Sequence, residues 1–457
     1  MEKIGEIIQK IDNVVWGPAM LVLLLGTGVY LMLCLRFLPL RNLVTALKIA
    51  AGAEAEEGSS DGIPPFSSLM TELAATIGTG NIVGVATAMV LGGPGALLWM
   101  MLSGLIGMAT KLVESMLSVK YRGRNERGEY VGGPMYTMQN AFPNRRAGRY
   151  LGAAFAVFAV LASFGMGNMT QSNSIAAAMK AAFGIPEAKT GLAVTLLTIL
   201  AVLGGIRTIS KVTTVIVPVM GIFYMAGTLT VILSHAGNVP EGLRQIVGMA
   251  FCPEAFGGGL CGTAAVTMGQ SLRWGVSRGV FSNEAGLGVS GISAAAADTD
   301  NYIRQGYISM TGVFLDTIVI CSVTGLALAA SGVLGMRDET GALVTGTELT
   351  VAAFSTTFGK GGAYFIGICI ALFAFATIVG WAYQGEKAFE FLVKKTKYCM
   401  IYRFLYGLTA FAGAVCALEI IWDFSDICNA LLAVPNLICV LALSGEACRE
   451  LKTNKKF

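Results

Sequence analysis

Two stretches of this sequence put glycines and polar residues where the flanking chain is apolar. The first is Thr76-Ile77-Gly78-Thr79-Gly80-Asn81. Its glycines and side-chain hydrogen-bonders weaken a helix. The second runs from Gly275 to Gly286 and contains Ser277, Arg278, Gly279, Phe281, Ser282, Asn283 and Glu284. Backbone released from a helix offers free N–H groups. At a half-helix N-terminus, where the dipole is positive, they bind an anion such as a carboxylate. Carbonyls across the same break can hold a cation, Na+ being the usual case. One broken helix can thus hold an amino acid's carboxylate beside a coupling ion. The competing reading of a Gly-x-Gly in a membrane helix is a packing notch.

Two further stretches carry candidate ligands. Asn168-Met169-Thr170-Gln171 places Asn168 and Gln171 three apart, on one helical face. Their amides can meet a carboxylate or an ammonium, or can join helices. Phe373-Ala374-Phe375-Ala376-Thr377-Ile378-Val379-Gly380-Trp381 offers Thr377 as a hydroxyl ligand for Na+ and Trp381 as a pocket wall. The plain alternatives are a threonine bonded to its own backbone and a tryptophan that packs.

The elements that must position these residues follow from composition. Of 457 residues, 54% are hydrophobic and 13% charged, against about 25% charged in soluble domains. Mean hydropathy is +0.68. Such a surface belongs in lipid, which excludes a nucleic-acid partner. The 58 glycines suit closely packed membrane helices. The expected fold is therefore an all-α membrane protein. Candidate spans are 14–38, 66–91, 95–119, 150–180, 190–207, 209–235, 263–296, 305–333, 351–391, 402–421 and 427–447, about eleven transmembrane helices. The boundary between the fifth and sixth rests on Arg207 and Lys211, and the start of 351–391 reads as re-entrant or interfacial.

The broken segments open the second and seventh spans. Broken backbone survives at membrane depth only beside protein or a cavity, and paired breaks mark a transporter's binding site. Residues 66–235 and 263–447 then form two five-helix halves. An odd number makes them an inverted repeat, with 14–38 as an extra N-terminal helix. The chain reads as a single transmembrane domain over 1–457. Most of the 32 Lys and Arg fall inside if the N-terminus is outside and the C-terminus cytoplasmic. The heaviest basic loop holds Arg122, Arg124, Arg127, Arg145, Arg146 and Arg149. Met1 to Asn13 mixes charges ahead of a spanning run, so no removable signal peptide is expected.

Several residues stand outside this core reading. Ten cysteines without a Cys-x-x-Cys, and a sole histidine, His235, argue against a zinc or iron–sulfur site. Cys252 and Cys261 share a loop and could pair in an oxidising space. His235 reads as interfacial. Acidic residues within the spans are functional candidates by default. Glu284 is expected to pair with Arg278 or Arg273, Glu114 with Lys111, and Glu386 with Lys387. Asp316 has no local basic partner. Glu72 could tune the ion path or sit in a wet vestibule.

At these residues the chain resembles the alanine or glycine:cation symporters, also called sodium:alanine symporters. The matching stretches are Ala75–Asn81, Gly92–Met100, Gly132–Tyr136, Gln171–Ile175, Arg278–Gly286 and Ala376–Trp381. The resemblance implies a leucine-transporter-like fold in a bacterial or archaeal plasma membrane. It implies Na+ as the coupling ion, no organic cofactor, no enzymatic activity, and uptake of alanine or glycine. By similarity, Thr76, Gly78, Thr79 and Gly80 bind substrate at the first break. Asn168 and Gln171 would touch it, Gly279, Phe281 and Ser282 would line the other side, and Trp381 would close the pocket. Carbonyls of Ala74, Ile77 and Ala374, with the Thr377 hydroxyl, would hold Na+. Leu98-Trp99-Met100-Met101 and Val289-Ser290-Gly291 depart from the family pattern. Proton coupling through Glu72 or Glu284 is the runner-up. An intramembrane enzyme would need a nucleophile with a base or a metal cluster, and a channel would need pore rings.

Overall fold

A computed structural model of the protein describes residues 2–52, 62–251, 267–416 and 418–453. Cys252, Cys261 and the acidic run Glu54 to Asp61 lie outside them. The described elements are helices apart from one two-stranded hairpin. Helix α1 (Glu2–Val15) ends at a turn, and α2 (Pro18–Cys34) starts with proline at its first position. The expected first span, 14–38, is therefore filled by α2, with α1 a separate helix before it. Short helices α3 (Leu38–Arg41) and α4 (Leu43–Ala50) follow.

The first broken span is α5 (Pro65–Thr76), a single 3-10 turn at Thr79–Asn81, and α6 (Val83–Leu91). Helix α7 (Ala96–Lys120) leads to the hairpin β1 (Gly123–Arg124) and β2 (Tyr130–Val131). After α8 (Pro134–Ala141), α9 (Arg145–Phe164) and α10 (Thr170–Phe183) join through a π-helical turn at Gly165–Met169. Helices α11 (Glu187–Leu203) and α12 (Gly205–Ser234) meet at Gly204-Gly205, where Gly205 has φ 66. That corrects the boundary expected at Arg207 and Lys211. A positive φ suits glycine, and charged residues do not by themselves end a helix. His235 caps the far end of α12, its ring Nδ1 donating to the Val231 carbonyl at 3.0 Å.

Helix α13 (Val239–Ala250) precedes the second broken span, α14 (Met268–Asn283) and α15 (Ser290–Ala294). Helices α16 (Tyr302–Val313) and α17 (Ser322–Ala330) flank a longer π-helical stretch, Phe314–Cys321. The long 351–391 run separates at Gly359 into α18 (Gly346–Phe358) and α19 (Lys360–Val393). Helices α20 (Cys399–Val415) and α21 (Leu418–Thr453) complete the bundle. Among the described residues, seven helices are long and apolar enough to cross a membrane unaided. The broken spans reach that length only as pairs.

The second break lies later than expected. Helix α14 continues through Gly275 and Gly279 to Asn283. The chain leaves the helix at Glu284 (φ 58) and turns through Gly286 (φ 92) and Gly288 (φ 81). Gly275 and Gly279 are notches for α7. A Cβ on Gly275 would lie 2.4 Å from the Ala96 carbonyl oxygen, and one on Gly279 would lie 2.9 Å from Ser103 Oγ. The same residue type thus serves close packing in one place and a left-handed turn in the next.

Candidate functional site

The first break is held open by its own side chains. Ile77 and Gly78 are extended, so α5 cannot run into α6. The Gly78 N–H donates to Asn81 Oδ1 at 2.9 Å. The Thr79 N–H and hydroxyl both donate to Gln171 Oε1, at 3.3 and 3.0 Å. Gln171 in turn donates to the Met166 carbonyl at 3.1 Å, within the π-helical turn before α10. These groups are sealed from solvent, so each polar atom needs a partner.

Both glycines of the break face other functional elements. A Cβ on Gly78 would lie 2.3 Å from Thr377 Oγ1, and one on Gly80 would lie 3.1 Å from Ser282 Cα and 3.3 Å from Phe281 Cδ1. The fold therefore brings Gly78, Thr79, Gly80, Gln171, Phe281, Ser282 and Thr377 together. Thr377 Oγ1 lies 3.5 Å from the Ile77 carbonyl and 3.2 Å from that of Phe373. Ala74 and Ala374 are fully buried, one turn before Ile77 and Thr377. Oxygen donors of this type suit a hard cation such as Na+. Trp381 packs on Gly167, whose Cβ would fall 2.5 Å from the tryptophan Cβ.

Three expected ligands point elsewhere. Asn168 donates to the Tyr406 carbonyl and to Thr409, and accepts from Ser172, so it fastens α20. The π-helical turn ending at Met169 takes it off the Gln171 face that regular helical spacing implies. The Thr76 hydroxyl bonds back to the Glu72 and Leu73 carbonyls. Gly279 faces α7, as described.

Asp316 has partners that sequence spacing could not supply. Its carboxylate accepts from Asn81 Nδ2 at 2.7 Å, Ser282 Oγ at 3.0 Å and Thr317 Oγ1 at 2.8 Å. Asn283 Nδ2 donates to Thr317 Oγ1 at 3.0 Å, while its Oδ1 accepts the Ala285 N–H. Each break thus has an asparagine that satisfies its own backbone and reaches one of two adjacent residues, Asp316 or Thr317. The polar side chains of the motifs were the only available signal for this role.

The remaining charges pair across the bundle, not along the chain. Arg278 pairs with Asp426 of α21 and lies 5.1 Å from the Trp422 ring, which stacks on Phe281. Arg273 pairs with Asp12 at 3.6 Å. Neither arginine pairs with Glu284, whose carboxylate accepts from Ser290. Glu114 accepts from Asn436, not Lys111. Glu386 takes a two-pronged hydrogen bond from Arg403, at 2.6 and 2.7 Å. Lys387 instead pairs with Glu129 at 3.1 Å and Glu390 at 2.8 Å. Burial acts to raise the Glu129 carboxyl, but the Lys387 ammonium and the Asn125 amide outweigh it and hold it below its usual range. Among the described residues, no cluster of His, Cys, Asp and Glu could hold a transition metal.

A multi-pass helical bundle with broken helices meeting at a sealed polar centre defines a secondary transporter. Comparison with known proteins agrees. The model of the sodium:alanine symporter family matches residues 1–456, and the chain belongs to that family. It is 46% identical to the sodium/alanine symporter AgcS of Methanococcus maripaludis, over 98% of this chain and 96% of that protein. It is 36% identical to a Bacillus subtilis protein named "Probable sodium/glutamine symporter GlnT", over 97% and 89%. Among solved structures, MhsT in complex with L-phenylalanine matches with a TM-score of 0.56, over 84% of this chain and 90% of that one, at 13% identity. That likeness concerns the fold alone. The family is one of sodium-coupled amino-acid symporters, so the chain is a multi-pass membrane transporter.

Proposed function

We propose that this protein imports a small neutral amino acid, alanine or glycine, by symport with Na+. The carrying observation is the crowding at Gly78 and Gly80, where even one added carbon meets Thr377, Phe281 and Ser282. A pocket bounded by bare backbone suits a small side chain. Its substrate carboxylate would take the N–H groups of Gly78, Thr79 and Gly80, displacing Gln171 and Asn81 from them. Na+ would sit among the carbonyls of Ala74, Ile77 and Ala374 and the Thr377 hydroxyl. The name of the archaeal relative supports alanine and Na+.

In this reading residues 66–235 and 263–447 are inverted halves moving by alternating access. Counterpart elements pack on one another, α7 on α16, α10 on α19 and α11 on α20, which supports that reading. The basic loop then faces the cytoplasm, the N-terminus lies outside, and the surrounding lipid is a bacterial or archaeal plasma membrane. Proton coupling is the second reading, favoured by the sealed carboxyls of Glu72 and Glu284. Competition tests the pocket. Excess glycine should block labelled alanine uptake into proteoliposomes, and leucine should not. Equal block by leucine would contradict the small pocket.

A further inference from the structure

A second buried polar group lies beside the site and belongs to none of its ligands. Lys111, midway along α7, is fully buried. Its ammonium donates to the Asn283 carbonyl at 3.0 Å and to the Ser290 hydroxyl, and lies 3.5 Å from Glu72 Oε1. Asn283 and Ser290 are the last residue of α14 and the first of α15, so the ammonium spans the second break. Glu72 belongs to α5 and lies half a turn before Ala74 and one turn before Thr76, where that helix ends. One cation therefore joins the inner arm of the first broken helix to the turn of the second.

The group is also incompletely satisfied. Ser290 accepts from Lys111 and donates to Glu284 Oε2 at 3.1 Å. Ser309 donates to Glu72 Oε2 at 2.8 Å. Glu72 Oε1, Glu284 Oε1 and Trp381 Nε1 are sealed without a hydrogen bond. The Trp381 indole N–H faces the Glu284 carboxylate without reaching hydrogen-bond geometry. A donor and an acceptor left open side by side are costly in a dry interior, and a small shift of Trp381 would close them on one another. Trp381 is the residue that the family resemblance assigns to the wall of the substrate pocket.

We propose that Lys111 is a positioning residue that couples substrate occupancy to the Na+ site. Substrate moves the Trp381 indole onto Glu284. Glu284 then shifts Ser290 and the ammonium, and the ammonium shifts Glu72 and the α5 carbonyls that face Na+. The same chain runs in reverse when Na+ binds first, because coupling between two sites is reciprocal. Lys111 touches neither ligand. The device requires only that the network have two hydrogen-bonded arrangements, and the open Glu284 and Trp381 atoms supply the second.

This inference rests on the Na+–amino-acid reading above, and the test separates the two. Alanine affinity is measured by scintillation proximity on purified full-length protein, with and without Na+, and Na+ affinity by the converse titration. The variants are Ser290→Ala, which removes the relay hydroxyl without changing charge, and the charge-balanced Lys111→Met/Glu72→Gln. Wild type should bind alanine about tenfold or more tighter in Na+. In both variants that ratio should fall below about threefold, while alanine affinity without Na+ stays within about threefold of wild type. A residue needed only for packing would weaken both measurements together. Wild-type binding that ignores Na+ overturns the functional reading and this inference with it. A Na+-dependent wild type whose Ser290→Ala variant keeps the full ratio overturns this inference alone, whether or not the double variant folds.

Discussion

At the scale of single residues, Gly80 and Asp316 carry the most specific consequences. Gly80 lies against Phe281 and Ser282 with no space for a branched side chain. Gly80→Val should abolish alanine uptake while leaving membrane expression intact. Normal uptake by that variant contradicts the placement of the pocket. Asp316 gathers Asn81, Ser282 and Thr317 onto one carboxylate. Hydrogen bonds to a charged group contribute about 1.5–3 kcal/mol each. Asp316→Asn replaces an acceptor oxygen with a donor facing other donors, so maximal uptake should drop at least about tenfold at equal expression. Uptake at the wild-type rate would show that the two breaks do not depend on this link. The sequence showed Asp316 as an unpaired acid but not its partners, because Asn81 and Ser282 are distant in the chain. Gln171 was legible as a polar face. Asn168 was misleading, because spacing arguments assume a regular helix and a π-helical turn intervenes.

At the scale of elements, the two breaks differ in how openly the sequence displays them. Gly78-Thr79-Gly80-Asn81 sits where the helix breaks. In the second broken span Gly275 and Gly279 look equivalent, yet they only let α14 lie close on α7, and the chain turns at Glu284 to Gly288. Composition cannot separate a glycine used for approach from one used for a positive φ. The charge pairs were mispartnered for a related reason. Neighbours in sequence were the only partners visible, whereas Glu386 pairs with Arg403 and Arg278 with Asp426, each on another helix. The β1–β2 hairpin offers an element-scale prediction. Glu129 joins the hairpin to Lys387 of α19, and its carboxyl is held below its usual range. A depressed carboxyl contributes stability above its ordinary value, about 4.3, and loses it as pH falls through the lower folded-state value. The hairpin should therefore resist limited proteolysis unchanged from about pH 8 to pH 5 and become cleavable only below the ordinary glutamate range. Glu129→Gln should be cleavable at neutral pH. Wild-type protection in that variant would contradict the tie.

At the scale of the whole molecule, lipid as the solvent was legible from composition alone. The pairing of the two breaks was legible from their places in the second and seventh spans, since polar backbone at membrane depth needs protein around it. The packing of α7 on α16, α10 on α19 and α11 on α20 could not be read, because it depends on how the halves interlock. If those halves are inverted and the basic loop is cytoplasmic, a C-terminal fluorescent-protein fusion should glow and an alkaline-phosphatase fusion at the same point should be inactive. The reverse result would turn the molecule over. The central claim is that a Na+ gradient drives a small amino acid through this centre. Labelled alanine uptake into proteoliposomes under an inward Na+ gradient, with an inside-negative potential, tests it most directly. The account predicts accumulation above equilibrium that collapses when Na+ is replaced by choline. Uptake that survives that replacement and follows the proton gradient would contradict it and transfer the coupling role from Thr377 to Glu72 and Glu284.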